Sequence, residues 1–251
     1  MICRPSKVAL PFVLAGALGI ACLSLPMAAV AEDSPTWQVE AEGMTAQATT
    51  SYDIGSGSVT CDQAGTLYKI TGTSSKHTIT VRGGTASNPV MVDLAGVTMK
   101  FQGAKDGDST EAAPLTIEDN AYAIVYVGKD DATVVDTLTG GNEHGVGKNT
   151  GYAGICVKSN AHATIAGRGA LNVSGGGVEY GAAAIGGNYN DDVHDLTIDG
   201  TPTINATGGY SAPGIGSGRD GELYSLVIKG GTISATGGKY APGIGAGDAV
   251  G

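Results

Sequence analysis

The sequence predicts an all-β chain wound as a right-handed parallel β-helix, a solenoid of about 30 residues per coil with three short strands in each. Three observations carry the prediction. Residues 196–215, LTIDGTPTINATGGYSAPGI, recur at 226–244 as LVIKGGTISATGGKYAPGI, and self-similarity at such a period is the mark of a repeat architecture. Glycine supplies 42 of 251 residues against one Trp and two Phe, too little bulk for a conventional core. Val, Ile and Thr are abundant and alternate with period two, which neither a disordered nor a helical segment would do.

Taken in order, the chain opens with a secretory signal peptide over residues 1–31. Arg4 and Lys7 form a basic region, Val8 to Leu25 is uncharged and apolar, and Met27-Ala28-Ala29-Val30-Ala31 offers a small-residue cleavage site after Ala31. A membrane anchor and a lipoprotein signal on Cys22 are the competing readings. Pro11 and Pro26 break the apolar stretch, and Gly19 stands where a lipobox needs a larger aliphatic residue. Residues 32–60, rich in Thr, Ser, Gly and Ala, read as a linker or an N-terminal cap, and 61–251 as the repeat domain.

Removal of Arg4 and Lys7 leaves 12 basic against 24 acidic residues, a net charge of −12. Nucleic acid and anionic membrane surfaces are thereby excluded as partners, and no membrane insertion is expected after cleavage. A divalent cation or a neutral polymer fits better. Cys61 and Cys156 alone remain after the signal, which rules out a disulfide-dense scaffold and a Cys-rich metal site. Whether they bond to each other is left open by the sequence. The apolar alternation Ile155-Cys156-Val157 suits a small buried side chain in a strand.

Aligning the two copies pairs Leu196 with Leu226, Ile198 with Ile228, Ile204 with Ile233, Ala206 with Ala235 and Ile215 with Ile244. The offset falls from 30 to 29 at the Asp199-Gly200-Thr201-Pro202 turn, and a length change confined to a turn is what stacked strands tolerate. The frame extends back through Ile185 and Ile155, and at an offset of 40 to Leu115-Thr116-Ile117, which implies an insertion around Gly140 to Thr150. Ile79-Thr80-Val81 and Val90 to Leu94 read as strands of the opening coils. Stacking places Ile on Ile and Ala on Ala, and Gly208, Gly209, Gly237 and Gly238 suit corners of positive φ or sharp turning. The last residues, 245–251, stop within a repeat, so the sequence is expected to belong to a longer chain with any wall-attachment signal beyond residue 251.

The segments Tyr68-Lys69-Ile70-Thr71-Gly72-Thr73 and Asp93 to Met99, with the repeated phrases GGTI, ATGG and APGIGAG, carry a resemblance from about Leu67 to the end. The chain resembles the secreted, cell-surface carbohydrate-binding parallel β-helix proteins of anaerobic Gram-positive bacteria. That resemblance implies binding of acidic or cellulosic plant polysaccharide, with calcium sites, and assigns no calcium ligand to a residue of this chain; the protein is expected to be extracellular and monomeric, with a plant or microbial polysaccharide as partner.

Two constellations are candidates for such binding. Tyr122, Tyr152, Tyr180, Tyr210 and Tyr240 recur at steps of 30, 28, 30 and 30, and the last four are expected to form an axial stripe on which sugar rings stack. The same tyrosines packing on one another to close a glycine-rich corner is the alternative, that of a structural stalk or adhesin. Asn190 and Asp192 lie five and seven residues after Ile185, as Asp220 and Glu222 do after Ile215, so stacked coils offer four oxygen-bearing side chains to calcium. A solvated acidic loop explains the same spacing. A polysaccharide lyase or hydrolase would need Arg219, His194, Asp192 and Glu222 to converge in one groove. No nucleophile-elbow, zincin or phosphate-loop motif occurs, so no catalytic residue is assigned.

Overall fold

The computed structural model describes residues 41–102, 110–143 and 150–247. Internal contacts divide the chain into Met1–Ser34 and Pro35–Gly251. The signal-peptide expectation falls on the first unit, which lies outside the described residues; the strands all belong to the second.

The described chain is all-β apart from one short 3-10 turn at Ala41–Gly43, and every pairing between its strands is parallel. Successive strands fall into three ladders. Ladder 1 is a sheet of seven short strands, Val59–Cys61, Ile79–Val81, Leu115–Ile117, Ile155–Val157, Ile185–Gly186, Ile215–Gly216 and Ile244–Gly245, stacked in that order. Ladder 2 runs from Ala48–Asp53 through the first halves of Thr66–Ser74 and Val90–Lys100 to Tyr122–Val127, His162–Gly167, Asp195–Ile198 and Leu226–Ile228. Ladder 3 takes the second halves of those two long strands and continues through Val135–Thr139, Ala170–Ser174, Thr203–Thr207 and Thr232–Thr236. The chain visits the ladders in rotation, giving curled parallel sheets of solenoid type. Parallel pairing begins at Ala48, ahead of residue 61, because Ala48–Asp53 aligns with Thr66–Thr71 despite its Thr- and Ser-rich composition.

Register follows the sequence repeat. Leu196 pairs with Leu226, Ile198 with Ile228, Ile204 with Ile233 and Ala206 with Ala235. Ile155, Ile185, Ile215 and Ile244 stack in one column, and Leu115 sits on Ile155 across the 40-residue period. Inward residues of the three ladders form one continuous core, in which Ile70, Leu94, Leu138, Ile165 and Ile198 are fully buried. Like-on-like stacking lets a narrow bore fill at crystal-like density without large aromatic side chains.

Of the two roles the sequence suggests for the glycine pairs at the corner between ladders 3 and 1, positive φ is absent and sharp turning is present. Gly208, Gly209, Gly237 and Gly238 do not have positive φ. They are places of close approach. A Cβ on Gly208 would lie 2.2 Å from the Ala212 carbonyl oxygen of its own coil, and one on Gly209 would lie 1.9 Å from the Gly176 oxygen of the neighbouring coil. Gly238 repeats the contact against Gly209 at 1.8 Å. The first glycine of each pair thus lets the corner fold on itself, and the second lets corners stack.

Cys61 and Cys156 are free and buried, and burial pushes both thiols up to about 12, so neither supplies a thiolate near neutral pH. The outer face of ladder 2 is partly covered by the start of the described chain. Ala41 packs with Met91, Ile124, Tyr126 and Ala166, its N–H donates to Asp199 Oδ2 (3.2 Å), and its carbonyl accepts from Tyr126 Oη (2.7 Å). Tyr126→Phe removes that last bond while keeping the ring; denaturant unfolding should show a loss of about 1 kcal/mol with unchanged slope.

Candidate functional site

Each corner of the coil collects a different chemistry. Between ladders 3 and 1, Tyr180 bridges in parallel to Thr150, the Gly181 N–H donates to the Tyr210 carbonyl (2.9 Å), and the Ser211 N–H donates to that of Lys239 (3.1 Å). The column therefore reads Thr150, Tyr180, Tyr210, Lys239, with Tyr240 one position on. Tyr152 is not in it. Its carbonyl accepts from Gly176 as that of Ala182 accepts from Gly209, so Tyr152 occupies the alanine column and packs against Ala113, Ala153, Cys156 and Ala182. The step of 28 residues between Tyr152 and Tyr180 is two short of the coil, which moves the ring out of the expected stripe.

The other three tyrosines are joined by residues the spacing does not single out. Tyr189 sits 4.9 Å from Tyr180 with the rings tilted by 50°, and the Arg219 guanidinium lies 4.9 Å from the Tyr180 ring centre. Arg219 is fixed there by donating from Nη1 to the Glu179 carbonyl (2.7 Å). Tyr210 and Tyr240 meet edge to face at 6.3 Å, and Lys239 Nζ stands 4.7 Å above the Tyr240 ring. Tyr240 is 68 % exposed, whereas Tyr180 and Tyr210 are half-buried. Tyr189 was discoverable only through the fold, because it reaches Tyr180 across the two-residue strand of ladder 1.

Between ladders 1 and 2 the expected acidic stacking is present in register. Asn190 and Asp220 both take left-handed backbone, φ 60° and 62°, which Asn and Asp tolerate best among side-chain-bearing residues. The Asn190 N–H donates to the Arg219 carbonyl, setting Asn190 over Asp220. Asp192 lies over Glu222 and accepts its backbone N–H (2.8 Å). Glu222 holds the Tyr224 hydroxyl and pushes that phenol up, and Asp220 Oδ2 stands 3.7 Å from Arg219 Nε. Each carboxylate is directed to a different partner, and among the described residues no three Asp, Glu, His or Cys side chains group closely enough to share a metal ion. Asn190, Asp192, Asp220 and Glu222, the residues expected to hold calcium, are stacked in register on two coils.

The residues that a lyase or hydrolase groove would need each touch a separate partner. Arg219 turns to Tyr180, His194 packs on the edge of Tyr224 at 4.3 Å, and Asp192 is engaged by backbone. A histidine–carboxylate pair exists elsewhere, on the outer face of ladder 2. His162 Nδ1 lies 2.7 Å from Asp195 Oδ2, and Tyr122 stacks on the imidazole at 4.1 Å, the three residues being register partners on consecutive rungs.

Between ladders 2 and 3 the surface opens into a cleft of about 290 Å³ lined by Lys69, Thr71, Asp93, Lys129, Asp130 and Asp131 among others. Lys69 and Asp93 are register partners on adjacent rungs, and Asp93, only 6 % exposed, accepts the Lys129 N–H on Oδ1 (2.8 Å). Burial raises the Asp93 carboxyl above its ordinary value against the opposing pull of that N–H and of Lys69. A smaller hollow on the other side of Lys129 and Asp130 adds Tyr126 and Arg168. Lys69, Thr71, Asp93 and Ala95 belong to the two segments that carry the resemblance, whereas neither the expected tyrosine stripe nor Asn190, Asp192, Asp220 and Glu222 lines either hollow. Among the described residues no helix is long and apolar enough to cross a membrane.

Comparison of the chain with family models, curated proteins and solved structures gives no match.

Proposed function

We propose that this chain is an exported, surface-displayed polysaccharide-binding protein, built as a right-handed parallel β-helix of three-stranded coils and acting without catalysis through the tyrosine corner. Right-handedness follows from the strong preference of parallel crossovers for that hand. The observation that carries the function is the row Tyr180, Tyr210 and Tyr240 with Tyr189, Arg219 and Lys239 set against its rings. Aromatic faces spaced along a stack and cationic donors beside them fit a polymer that offers a ring and hydroxyl groups at each repeat. The N-terminal signal supports export, and the resemblance to cell-surface glycan binders supports display.

One observation favours the stalk or adhesin instead. The half-buried Tyr180 ring is occupied by Tyr189 and Arg219, as expected where aromatic side chains serve to close a corner. Retention of the secreted protein on a panel of plant and microbial polysaccharides, with calcium and with chelator, separates the two readings. Tyr210→Ala with Tyr240→Ala should weaken retention about tenfold or more, the loss of ~1.4 kcal/mol or more of stacking, while leaving unfolding nearly unchanged. Retention on no glycan moves the assignment to the stalk, and release of reducing ends or unsaturated products would make the protein an enzyme.

A further inference from the structure

We infer that the cleft between ladders 2 and 3 is a second binding site, separate from the tyrosine corner, that takes a single uncharged sugar ring between Lys69 and Asp93. The inference goes beyond the proposed glycan binding, because it uses other residues at another corner and stands if the tyrosine row fails.

Four features build the site. First, the two charges are placed by the fold: Lys69 and Asp93 are side by side on adjacent rungs of ladder 2. Second, Asp93 is held on one oxygen only. Oδ1 accepts the Lys129 N–H, and Oδ2 is neither bonded nor sealed from solvent among the described residues. Third, the Lys69 ammonium is exposed and has no hydrogen bond or ion pair among the described residues. Fourth, the wall is folded over by a tight turn that needs glycine: Gly128 has φ +56°, and a Cβ there would lie 2.4 Å from the Asp131 carbonyl oxygen.

The chemistry selects the ligand. A nearly buried carboxylate asks for donors, and an ammonium beside it asks for acceptors. Vicinal hydroxyl groups supply both at once, each accepting from Lys69 and donating to Asp93. An anionic ring would meet Asp93, Asp130 and Asp131, and a cationic one would meet Lys69 and Lys129, so an uncharged ring is the species opposed by neither set. The cleft volume of about 290 Å³ is at the low end for ligand sites, which limits the occupant to about one ring rather than a chain segment.

Backbone amide spectra of the isotope-labelled, secreted full chain, titrated with ~1–10 mM methyl hexosides, test this directly, since one-ring polar ligands bind in that range. Shifts are expected at Gly128, Lys129 and Asp130. Lys69→Gln and Asp93→Asn should each weaken them about fivefold or more. Asp93→Asn keeps an oxygen for the Lys129 N–H, and Lys69 is exposed, so both variants should retain the parent spectrum elsewhere. Tyr210→Ala with Tyr240→Ala should leave this binding unchanged, which separates failure here from failure of the tyrosine corner. Absence of shifts with any neutral hexoside overturns the proposal, as does stronger binding of a methyl uronide or a methyl hexosaminide.

Discussion

Gly186→Ala is expected to destabilise the stack by about 4 kcal/mol or more, the range that marks a specific steric failure rather than ordinary loss of packing. Gly186 ends a two-residue strand of ladder 1 with φ +133°, a conformation L side chains rarely adopt, and its Cβ would lie 1.7 Å from the Gly216 carbonyl oxygen on the next rung. Gly216 repeats the arrangement against Gly245 at 1.8 Å, so neither rung can retreat without disturbing another. Cys156, the register partner of Gly186, shows what the column tolerates. There the strand runs for three regular residues, and the thiol accepts from Asn188 Nδ2 (3.2 Å). Urea unfolding with hydrogen exchange checks the expectation. Because rungs of a solenoid couple mainly to neighbours, protection should fall first in the strands from 185 onward. Gly57→Ala is the control: a Cβ there meets nothing within 4 Å, and stability should change by about 0.5 kcal/mol or less. Equal effects at the two positions would mean that the stack relaxes freely along its axis.

That contrast also marks how far the sequence can be read. Columns were legible wherever the same inward residue recurs, which is why Ile155, Ile185, Ile215 and Ile244 can be set in register from spacing alone. The stacking of Asn190 on Asp220 and Asp192 on Glu222 was legible for the same reason. Direction was not legible. Whether Asp192 faces an ion or a backbone N–H depends on the turn between ladders 1 and 2, and the turn carries no repeat of its own. Tyr152 leaves the stripe because a spacing of 28 is not a full coil, a difference too small to register in a loosely repeating stretch. Tyr189 gave no signal, and Lys69 and Asp93 were visible only as members of the segments that carry the resemblance, since the fold rather than the repeat brings each to its partner. The glycine pairs were visible, but their role as contact points between carbonyls and missing Cβ atoms needed the stacked backbone.

The residue least legible of all yields the second large effect. Asp136 points inward in the column that Leu171, Ile204 and Ile233 occupy on the following rungs, and it is fully buried. Its Oδ1 accepts the N–H groups of Gly96 (2.9 Å) and Val97 (2.6 Å), two donors beside the irregularity where Val90–Lys100 passes from ladder 2 to ladder 3. Oδ2 is buried without a partner. Burial pushes the carboxyl from its ordinary 3.8 up to about 6, against the pull of the two N–H groups. A carboxyl raised on folding binds its proton more tightly in the folded state. Its stabilising contribution is therefore complete below about pH 4 and is lost as pH rises through about 6. A shift of that size corresponds to on the order of 2–3 kcal/mol. The stability of the parent relative to Asp136→Asn should fall by that amount between pH 4 and pH 7, since the amide keeps an acceptor for both donors and does not titrate. Other raised carboxyls, Asp93 and Asp195, are common to both proteins and cancel in the difference. Parallel stability curves would show that the Asp136 carboxylate is solvated in the folded state. Asp136→Leu separates the remaining contribution: it restores the apolar column but leaves two N–H groups unsatisfied at about 1–3 kcal/mol each, so it should be less stable than Asp136→Asn at every pH.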